Sequence, residues 1–321
     1  IVFQNVPLQN GVVQAKVSLS YQLFGQPVGS APLVVVNHAL TGNSQVIGEN
    51  GWWQSLIGDD KIIDTKKYAV LAFNIPGNGY QDEENLIENY QDFTNYDIAN
   101  LFWKGIDSFK VNQVFAVIGG SLGGAIAWEM AFIKPNSIQN LIPVASNWKA
   151  NDWLIGNVLV QDAILNNSKN PIHDARLHAM LLYRTPESLT AKFNSERNDN
   201  QNSYKVESWL LHHGEKLTGR FELSAYKLMN HLLKTIGENT TEKDLQDFAK
   251  ISPTKIHQIA INSDYFFAPN ENIKTHNLLS SITNNLSYHE INSIHGHDAF
   301  LIEYERLNNI LKTIFNTKHT N

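Results

Sequence analysis

The stretch that decides the fold is Val117-Ile118-Gly119-Gly120-Ser121-Leu122-Gly123-Gly124. An apolar, β-branched run leads into it, and the sequence Ala-Ile-Ala-Trp-Glu-Met-Ala at 125–131 favours a helix after it. A Gly-x-Ser-x-Gly motif between a strand and a helix predicts a tight corner that lifts the serine hydroxyl above the end of a sheet. The glycines let backbone segments approach where a Cβ would clash. We therefore interpret Ser121 as a nucleophile, and an incidental serine in a glycine-rich turn is the alternative.

The helix predicted after Ser121 indicates where a negative charge could be stabilised. Its first N–H groups lack partners within the helix, and its dipole is positive at this end. The N–H of Leu122, the residue after the nucleophile, is the expected first donor of an oxyanion hole. The second donor is expected from the loop after an early strand. The segment His38-Ala39-Leu40-Thr41-Gly42 follows the apolar run 33–36, and we assign this second donor to the N–H of Leu40.

Apolar runs alternate with helical patterns along much of the chain. Residues 96–103, for example, have apolar side chains at helical spacing, with Thr94 or Asn95 as the N-cap. Short continuous β-branched and apolar runs are typical of strands buried on both faces. The runs lie at 33–36, 68–73, 114–118, 141–145, 256–262 and 286–291. This alternation predicts an α/β fold with a mostly parallel, doubly wound sheet.

One long segment interrupts this alternation. From 148 to 250 the strand signal disappears, and amphipathic helical patterns such as 174–183 and 224–236 dominate. A helical block between two strands predicts a cap over the carboxyl ends of the strands, where open α/β sheets bind ligands. We therefore expect a core formed by residues 1–147 and 251–321, with residues 148–250 inserted as a helical cap.

A serine nucleophile needs a base to take its proton and a carboxylate to orient that base. In the order serine–acid–histidine, the acid and the histidine lie on later strand ends. Asp264 ends the apolar run that begins at 256, and His297 follows the last predicted strand. We predict a triad of Ser121, Asp264 and His297. His295 is the closest alternative base, and Asp264 could also be an ordinary turn residue.

The composition and the charge of the chain argue against several other kinds of partner and site. The 321 residues carry a formal net charge of −6, which argues against nucleic acid or anionic membranes as partners. The absence of cysteine excludes disulfides and thiolate catalysis. We predict no metal, because neither a His-x-x-x-His motif nor an acidic cluster is visible. We expect a cytoplasmic enzyme, since no apolar run is long enough to span a membrane and no signal sequence is visible.

A set of motifs distributed over most of the chain points to one family. They are His38-Ala39-Leu40-Thr41-Gly42, Gly51-Trp52-Trp53, Ile63-Asp64-Thr65, the Ser121 motif, Leu182-Tyr183-Arg184, Val206-Glu207-Ser208-Trp209-Leu210, Gly219-Arg220-Phe221 and Gly296-His297-Asp298-Ala299-Phe300-Leu301. Together they resemble the homoserine O-acyltransferases of methionine biosynthesis, within the α/β-hydrolase superfamily. The resemblance implies the α/β-hydrolase fold and an acyltransferase with a Ser–His–Asp triad.

The resemblance also implies a reaction and partners. An acyl group would move from acyl-CoA to the hydroxyl of L-homoserine through an acyl-serine, with acyl-CoA as co-substrate and no tightly bound cofactor. Acetyl is the expected acyl group and succinyl the alternative. Serine is a possible second acceptor, because a pocket discriminates one methylene by only about 1–3 kcal/mol. Members of the family are commonly dimers, so a homodimer through the cap is expected.

Three residues are assigned to substrate binding by the resemblance. In the family, an Arg and a Tyr seven residues apart in the cap, and the Asp after the catalytic histidine, hold the amino acid. The matching positions are Arg176, Tyr183 and Asp298. A guanidinium binds an α-carboxylate and a carboxylate binds an α-ammonium, while seven residues place two side chains on one helix face. Asp298 also suits the first turn of a helix for its dipole alone.

Two stretches depart from the family pattern. Residues 74–84 bear on the entrance of the acyl donor, and residues 220–226 bear on contacts within the cap.

Two alternative functions use the same scaffold. A hydrolase would use the same triad with water as acceptor, but an esterase for neutral esters has no need of Arg176 and Asp298. A non-catalytic binding protein on this scaffold predicts a broken triad.

Overall fold

The computed structural model describes residues 1–80, 85–198 and 202–315, so positions 81–84 of the divergent stretch 74–84 lie outside the described residues. The strands are β1 Val2–Pro7, β2 Val13–Ser18, β3 Tyr21–Gly25, β4 Leu33–Asn37, β5 Ile57–Gly58, β6 Ile63–Asp64, β7 Ala69–Phe73, β8 Val114–Gly120, β9 Ile138–Val144, β10 Arg197–Asn198, β11 Ser203–Tyr204, β12 Lys255–Ile261 and β13 Leu286–Ile291. The helices are α1 Asn95–Ser108, α2 Leu122–Ile133, α3 Asp152–Asn167, α4 Pro171–Tyr183, α5 Pro186–Phe193, α6 Lys205–Thr218, α7 Leu223–Lys234, α8 Glu242–Ile251, α9 Pro269–Ser280 and α10 Tyr304–Phe315, with 3₁₀ helices at Tyr90–Asp92 and Gly296–Leu301.

A seven-stranded sheet with the order β13-β12-β9-β8-β4-β7-β3 forms the centre of the molecule. Its strands run parallel, except that β3 pairs with β7 antiparallel. Strands β1 and β2 form a separate antiparallel pair. The predicted α/β fold with a mostly parallel sheet is confirmed.

Both faces of the sheet are covered, as the unbroken apolar runs predict. Alternate side chains of β4 lie on opposite faces of the sheet. Val35 belongs to a core that includes Trp103 of α1, and Val36 belongs to a core that includes Trp53. Helices α1, α2 and α9 contribute to the first core, and α10 contributes to the second. Burying each such aliphatic side chain stabilises the fold by roughly 1.5–3 kcal/mol. The sheet is therefore held rigidly between two apolar layers.

The start of α1 decides between the two N-cap candidates. Thr94 is the N-cap: its side chain accepts a hydrogen bond from the N–H of Asp97, whose carboxylate in turn accepts from the N–H of Thr94. This reciprocal capping box satisfies two N–H groups that the helix leaves free. Asn95 is the first helical residue, and its N–H donates to Thr235 beyond α7.

The segment predicted as a cap contains α3–α8 and the short pair β10–β11. Helix α4 packs against α3 and α6 and also contacts the 3₁₀ helix Gly296–Leu301 after β13. Its division from the rest of the chain as a separate cap stays a prediction. None of the helices in the described ranges combines the length and the hydropathy needed to cross a bilayer.

Candidate active site

Ser121 occupies the corner between β8 and α2. Its backbone has φ 56° and ψ −124°, an unfavourable conformation for a residue with a Cβ that costs on the order of 1–3 kcal/mol. The N–H of Ser121 donates to the carbonyl of Val144 on the neighbouring strand, which helps to hold this conformation. At Gly123 an added Cβ would lie 2.3 Å from the carbonyl oxygen of Asn37, so glycine is required there. The corner therefore brings α2 against the end of β4.

Three predicted residues meet at this corner. His297 Nε2 lies 2.8 Å from Ser121 Oγ, and His297 Nδ1 lies 2.7 Å from Asp264 Oδ2. All three side chains are buried. The other carboxylate oxygen of Asp264 accepts hydrogen bonds from the N–H groups of Phe266 and Phe267 at 2.7 and 2.9 Å. Because the carboxylate accepts from Nδ1, Nε2 is left free to accept the hydroxyl proton of Ser121.

The alternative base, His295, has different neighbours. Its Nδ1 lies 3.1 Å from Arg184 Nη2 and 3.2 Å from Ser188 Oγ. Arg184 lies in the turn between α4 and α5, Ser188 lies in the first turn of α5, and both are buried. His297, rather than His295, is therefore the histidine in contact with Ser121.

Aromatic rings surround the imidazole of His297. They belong to Tyr183, Phe266, Phe267 and Phe300, with centroid distances of 5.4, 5.2, 5.7 and 5.5 Å. The ring of Phe267 is nearly parallel to the imidazole, at 22°. These rings pack around the imidazole and limit the access of water to it. Phe266 and Phe267 were not among the predicted site residues, although their position close after Asp264 could have indicated them.

The structure brings the segment that carries Leu40 close to the helix that carries Leu122, the two predicted oxyanion donors. Asn37 at the end of β4 pairs with Gly119 on β8, and its side-chain amide donates to the carbonyl of Gly123 at 3.2 Å. The loop that carries Leu40 therefore starts beside the first turn of α2, which carries Leu122. Within the described ranges, neither N–H donates to any acceptor. Their role stays a prediction.

The predicted substrate residues lie around the same histidine. Arg176 and Tyr183 share one face of α4, with the guanidinium carbon 5.8 Å from the tyrosine ring centroid. Asp298 directly follows His297 and lies in the first turn of the 3₁₀ helix Gly296–Leu301. Burial raises the pKa of Asp298, and the nearby charge of Arg176 opposes that rise. In the part of the chain that the structure describes, the side chains of Arg176 and Asp298 have no hydrogen-bond or ion-pair partner.

Further cations lie on the helices above the site. Burial, followed by the charges of Arg176 and of neighbouring cations on α5 and α6, lowers the pKa of His213 to about 4. Burial and Arg176 also lower the pKa of Arg220, whose Nη1 donates to the carbonyl of Thr41 at 3.1 Å. The basic side chains around His213 are Arg176, Lys192, His212 and Lys216. Among the described residues, no carboxylate pairs with Arg176, Lys192, Lys216 or Arg220, and no group of three or more His, Cys, Asp or Glu could hold a metal ion.

Known proteins resemble this chain in sequence and in fold. Residues 32–228 match the α/β hydrolase fold family. The homoserine O-acetyltransferase of Cyclobacterium marinum is 32% identical, over 96% of this chain and 92% of the relative. The chain belongs to the homoserine O-acetyltransferase family. The resemblance carried by the motifs is therefore confirmed, and the chain is an enzyme of the α/β-hydrolase fold.

Solved structures share the fold of this family member. The homoserine O-acetyltransferase from Staphylococcus aureus superposes with a TM-score of 0.84 at 23% identity, covering 100% of this chain and 95% of that one. Esterase E22 also superposes with a TM-score of 0.84, at 17% identity, covering 98% of this chain and 99% of that one. A transferase and an esterase thus match equally well. The fold alone does not separate acyl transfer from hydrolysis, so the site must.

Proposed function

We propose that this enzyme transfers an acetyl group from acetyl-CoA to the hydroxyl of L-homoserine, through an acyl-serine. The observation that carries this proposal is the unpaired Arg176 and Asp298 beside His297. Both side chains are half-buried, and a charge partly removed from water is costly without a partner. An unpaired cation and an unpaired anion in one site therefore indicate a ligand with both charges. An α-amino acid is such a ligand. The names of the relatives support homoserine as this amino acid and acetyl as the acyl group.

The first half-reaction makes the acyl-enzyme. His297 takes the proton of Ser121 Oγ as this oxygen attacks the thioester carbonyl, and Asp264 stabilises the imidazolium that forms. The N–H groups of Leu40 and Leu122 stabilise the negative charge on the former carbonyl oxygen. When the tetrahedral intermediate collapses, the carbon–sulfur bond breaks and the CoA thiolate leaves. Nε2 of His297 returns the proton to this sulfur.

The second half-reaction moves the acyl group to the acceptor. Arg176 binds the α-carboxylate of homoserine, Asp298 binds its α-ammonium, and Tyr183 packs beside both. This places the acceptor hydroxyl near Nε2 of His297, which takes its proton as the oxygen attacks the acyl carbonyl. The ester to Ser121 then breaks, Ser121 regains its proton from His297, and O-acetyl-homoserine is released.

Hydrolysis is the second candidate function, favoured by the shared architecture with esterase E22. Water can replace homoserine in the same second step. Transfer dominates only if the acceptor is held in place and water is limited. The aromatic rings around His297 limit water, and the unpaired charges of Arg176 and Asp298 can hold the acceptor. Both features therefore favour transfer over hydrolysis.

An anionic acyl donor fits the charge distribution. The chain carries a net charge of −6, yet unpaired cations gather on α4 and α6 near Arg176. Such a field attracts a ligand with several phosphates and raises its rate of association. This supports acyl-CoA over a neutral ester as the donor. Succinyl-CoA stays the alternative donor.

The test measures CoA release from acetyl-CoA and from succinyl-CoA, with and without L-homoserine, for wild type and Ser121→Ala. We expect release that depends on acetyl-CoA and homoserine and disappears in the variant. L-Serine in place of homoserine measures acceptor choice. CoA release that does not depend on homoserine, or cleavage of simple esters without any release of CoA, would establish a hydrolase instead.

We also propose a homodimer through the cap, acting in methionine biosynthesis. Helices α3, α4 and α6 each expose large apolar side chains, and α4 packs against the other two helices. Exposed apolar side chains on neighbouring helices are typical of protein–protein interfaces. In this chain they are Trp153, Leu159, Leu181 and Leu211, exposed by 54%, 69%, 51% and 45%. Light scattering after size exclusion should give the dimer mass for wild type and the monomer mass for Leu159→Lys. A monomeric wild type would overturn this proposal.

A further inference from the structure

His38 lies directly before the predicted oxyanion loop, and both of its ring nitrogens are engaged. Nδ1 lies 2.7 Å from the carbonyl oxygen of Ala39, and Nε2 accepts from the N–H of Ile75 at 3.0 Å. A carbonyl only accepts and an N–H only donates, so Nδ1 carries the proton and Nε2 does not. The ring is 1% exposed, and burial lowers its pKa to about 4. His38 is therefore a neutral group with a fixed tautomer.

The carbonyl that His38 holds belongs to the same peptide unit as the N–H of Leu40. A trans peptide is planar, and its C=O and N–H point in opposite directions. The carbonyl oxygen of Ala39 also accepts from the N–H of Gly42 at 2.8 Å. Two donors thus fix the direction of this carbonyl and, with it, the direction of the Leu40 N–H. That N–H itself donates to no acceptor in the described part of the chain.

We propose that His38 is a positioning residue that aims the Leu40 N–H at the oxyanion of both tetrahedral intermediates. The inference rests on the proposed role of Leu40. A hydrogen bond to the carbonyl also polarises the peptide, so the N–H at its other end becomes a stronger donor. A preorganised donor needs no rearrangement when charge develops on the substrate oxygen. His38 itself does not touch the reacting atoms.

The second nitrogen of His38 fixes the ring to a neighbouring segment. Ile75 lies just beyond β7, and the adjacent Asn74 accepts the N–H of Ser44 at 2.8 Å with its side-chain oxygen. The loop after β4 is therefore tied to the segment after β7 on both sides of Leu40. Without these ties the peptide before Leu40 could rotate, because the N–H has no acceptor of its own in the absence of substrate.

Two substitutions separate the contacts of His38. His38→Asn keeps an N–H donor near the position of Nδ1 and loses the acceptor at Nε2. His38→Gln can accept near the position of Nε2 and lacks the donor to Ala39. His38→Ala removes both. His257→Gln is the matched control, because His257 is a half-buried histidine hydrogen-bonded to Ser287 and Asn140 at the opposite end of the strands.

The readout is the rate of acyl-enzyme formation, measured as the burst of p-nitrophenol from p-nitrophenyl acetate and of CoA from acetyl-CoA. Loss of one oxyanion donor costs about 10²–10³ in rate, so a misdirected donor should cost roughly 10–100-fold. We expect this loss for His38→Gln and His38→Ala, and a loss of only a few-fold for His38→Asn. The KM for homoserine and the pH profile should not change.

A merely structural His38 would give a different pattern. His38→Asn and His38→Gln would then slow acylation equally, in proportion to their loss of folded protein, as His257→Gln would. Unfolding curves for each variant supply the folded fraction by which each rate is corrected. Equal corrected rates for His38→Asn and His38→Gln, or wild-type rates for both, would overturn the proposal. Since acylation precedes the choice of acceptor, this result is independent of whether homoserine or water takes the acyl group.

Discussion

Gly296 passes so close to Tyr183 that no side chain fits between them. A Cβ on Gly296 would lie 2.8 Å from the carbonyl oxygen of Tyr183, and the backbone of Gly296 has a φ of 65°. The turn after α4 is joined to the same loop by the bond between Arg184 and His295. The end of α4, which carries Tyr183, and the loop that carries His297 are therefore packed as one unit.

Gly296→Ala should lower kcat strongly while the protein still folds. The left-handed conformation costs a side chain roughly 1–2 kcal/mol, and the contact with Tyr183 forces the loop to shift. His297 Nε2 would then leave hydrogen-bond distance of Ser121, so kcat should fall at least tenfold. Gly11→Ala is the control, because Gly11 also has a positive φ but open space around it. Unfolding and kcat are measured for both, and equal kcat values would contradict the coupling.

Asp264→Asn should remove most of the activity while the fold remains. The amide oxygen can still accept from the N–H groups of Phe266 and Phe267. Its NH₂ group, however, would face Nδ1 of His297 and place the imidazole proton on Nε2. That tautomer cannot take the proton of Ser121, so kcat should fall on the order of 10⁴-fold. Steady-state kinetics and a thermal melt check this, and a loss smaller than tenfold would rule out the assigned role of Asp264.

Asp298→Asn should affect the acceptor and leave acylation intact. The KM for homoserine should rise by at least tenfold, because a charge-assisted hydrogen bond contributes about 1.5–3 kcal/mol. The burst with p-nitrophenyl acetate should keep its rate. Because burial raises the pKa of Asp298, the wild-type KM for homoserine should rise as pH is lowered toward that pKa, and this rise should vanish in the variant. A burst that slows as much as transfer does would instead implicate Asp298 in acylation.

Local sequence patterns predicted the strands of the sheet, the corner at Ser121 and the triad. The β-branched runs and the Gly-x-Ser-x-Gly corner are each encoded in a few adjacent residues, and Asp264 and His297 could be selected because each follows a predicted strand. Physical constraints on a parallel sheet then bring the strand ends together. The geometry at Ser121 therefore follows from local patterns combined with one topological rule.

Other features depend on contacts between distant segments, which no local pattern reports. The bond between Arg184 and His295 joins residues 111 positions apart in the chain. The role of His38 depends on Ile75, which lies beyond another strand, and on the direction of one peptide plane. Arg176 has the sequence context of a surface arginine, so only the family resemblance selected it. Tertiary packing gives these residues their roles.

Lys216→Glu should weaken the interaction with the acyl donor. Lys216 and Lys192 add to the positive field near Arg176, and reversing one charge should raise the KM for acetyl-CoA roughly 3- to 10-fold at low salt. The effect should shrink as ionic strength rises, because exposed charges are screened. Lys312→Glu on α10 makes the same charge change on the opposite layer and should leave this KM unchanged. An identical effect from both variants would show that net charge alone matters.

Glu129→Gln should stabilise the protein at high pH. Glu129 is buried on α2, accepts from the N–H of Gly237 at 3.3 Å, and has its pKa raised from 4.5 to about 7 by burial. The folded state thus holds this proton more tightly than the unfolded state, so wild-type stability falls as pH rises from about 4.5 to about 7 and then levels off.

A glutamine keeps the acceptor for Gly237 and cannot ionise. At 1.36 kcal/mol per pKa unit, the gain in unfolding free energy at pH 8 should exceed the gain at pH 5 by on the order of 2–3 kcal/mol. Urea unfolding at the two pH values measures this difference. Glu305→Gln, at an exposed position on α10, should change stability by less than about 0.5 kcal/mol at either pH. If Glu129→Gln shifts stability equally at pH 5 and pH 8, the carboxyl is not held neutral in the fold.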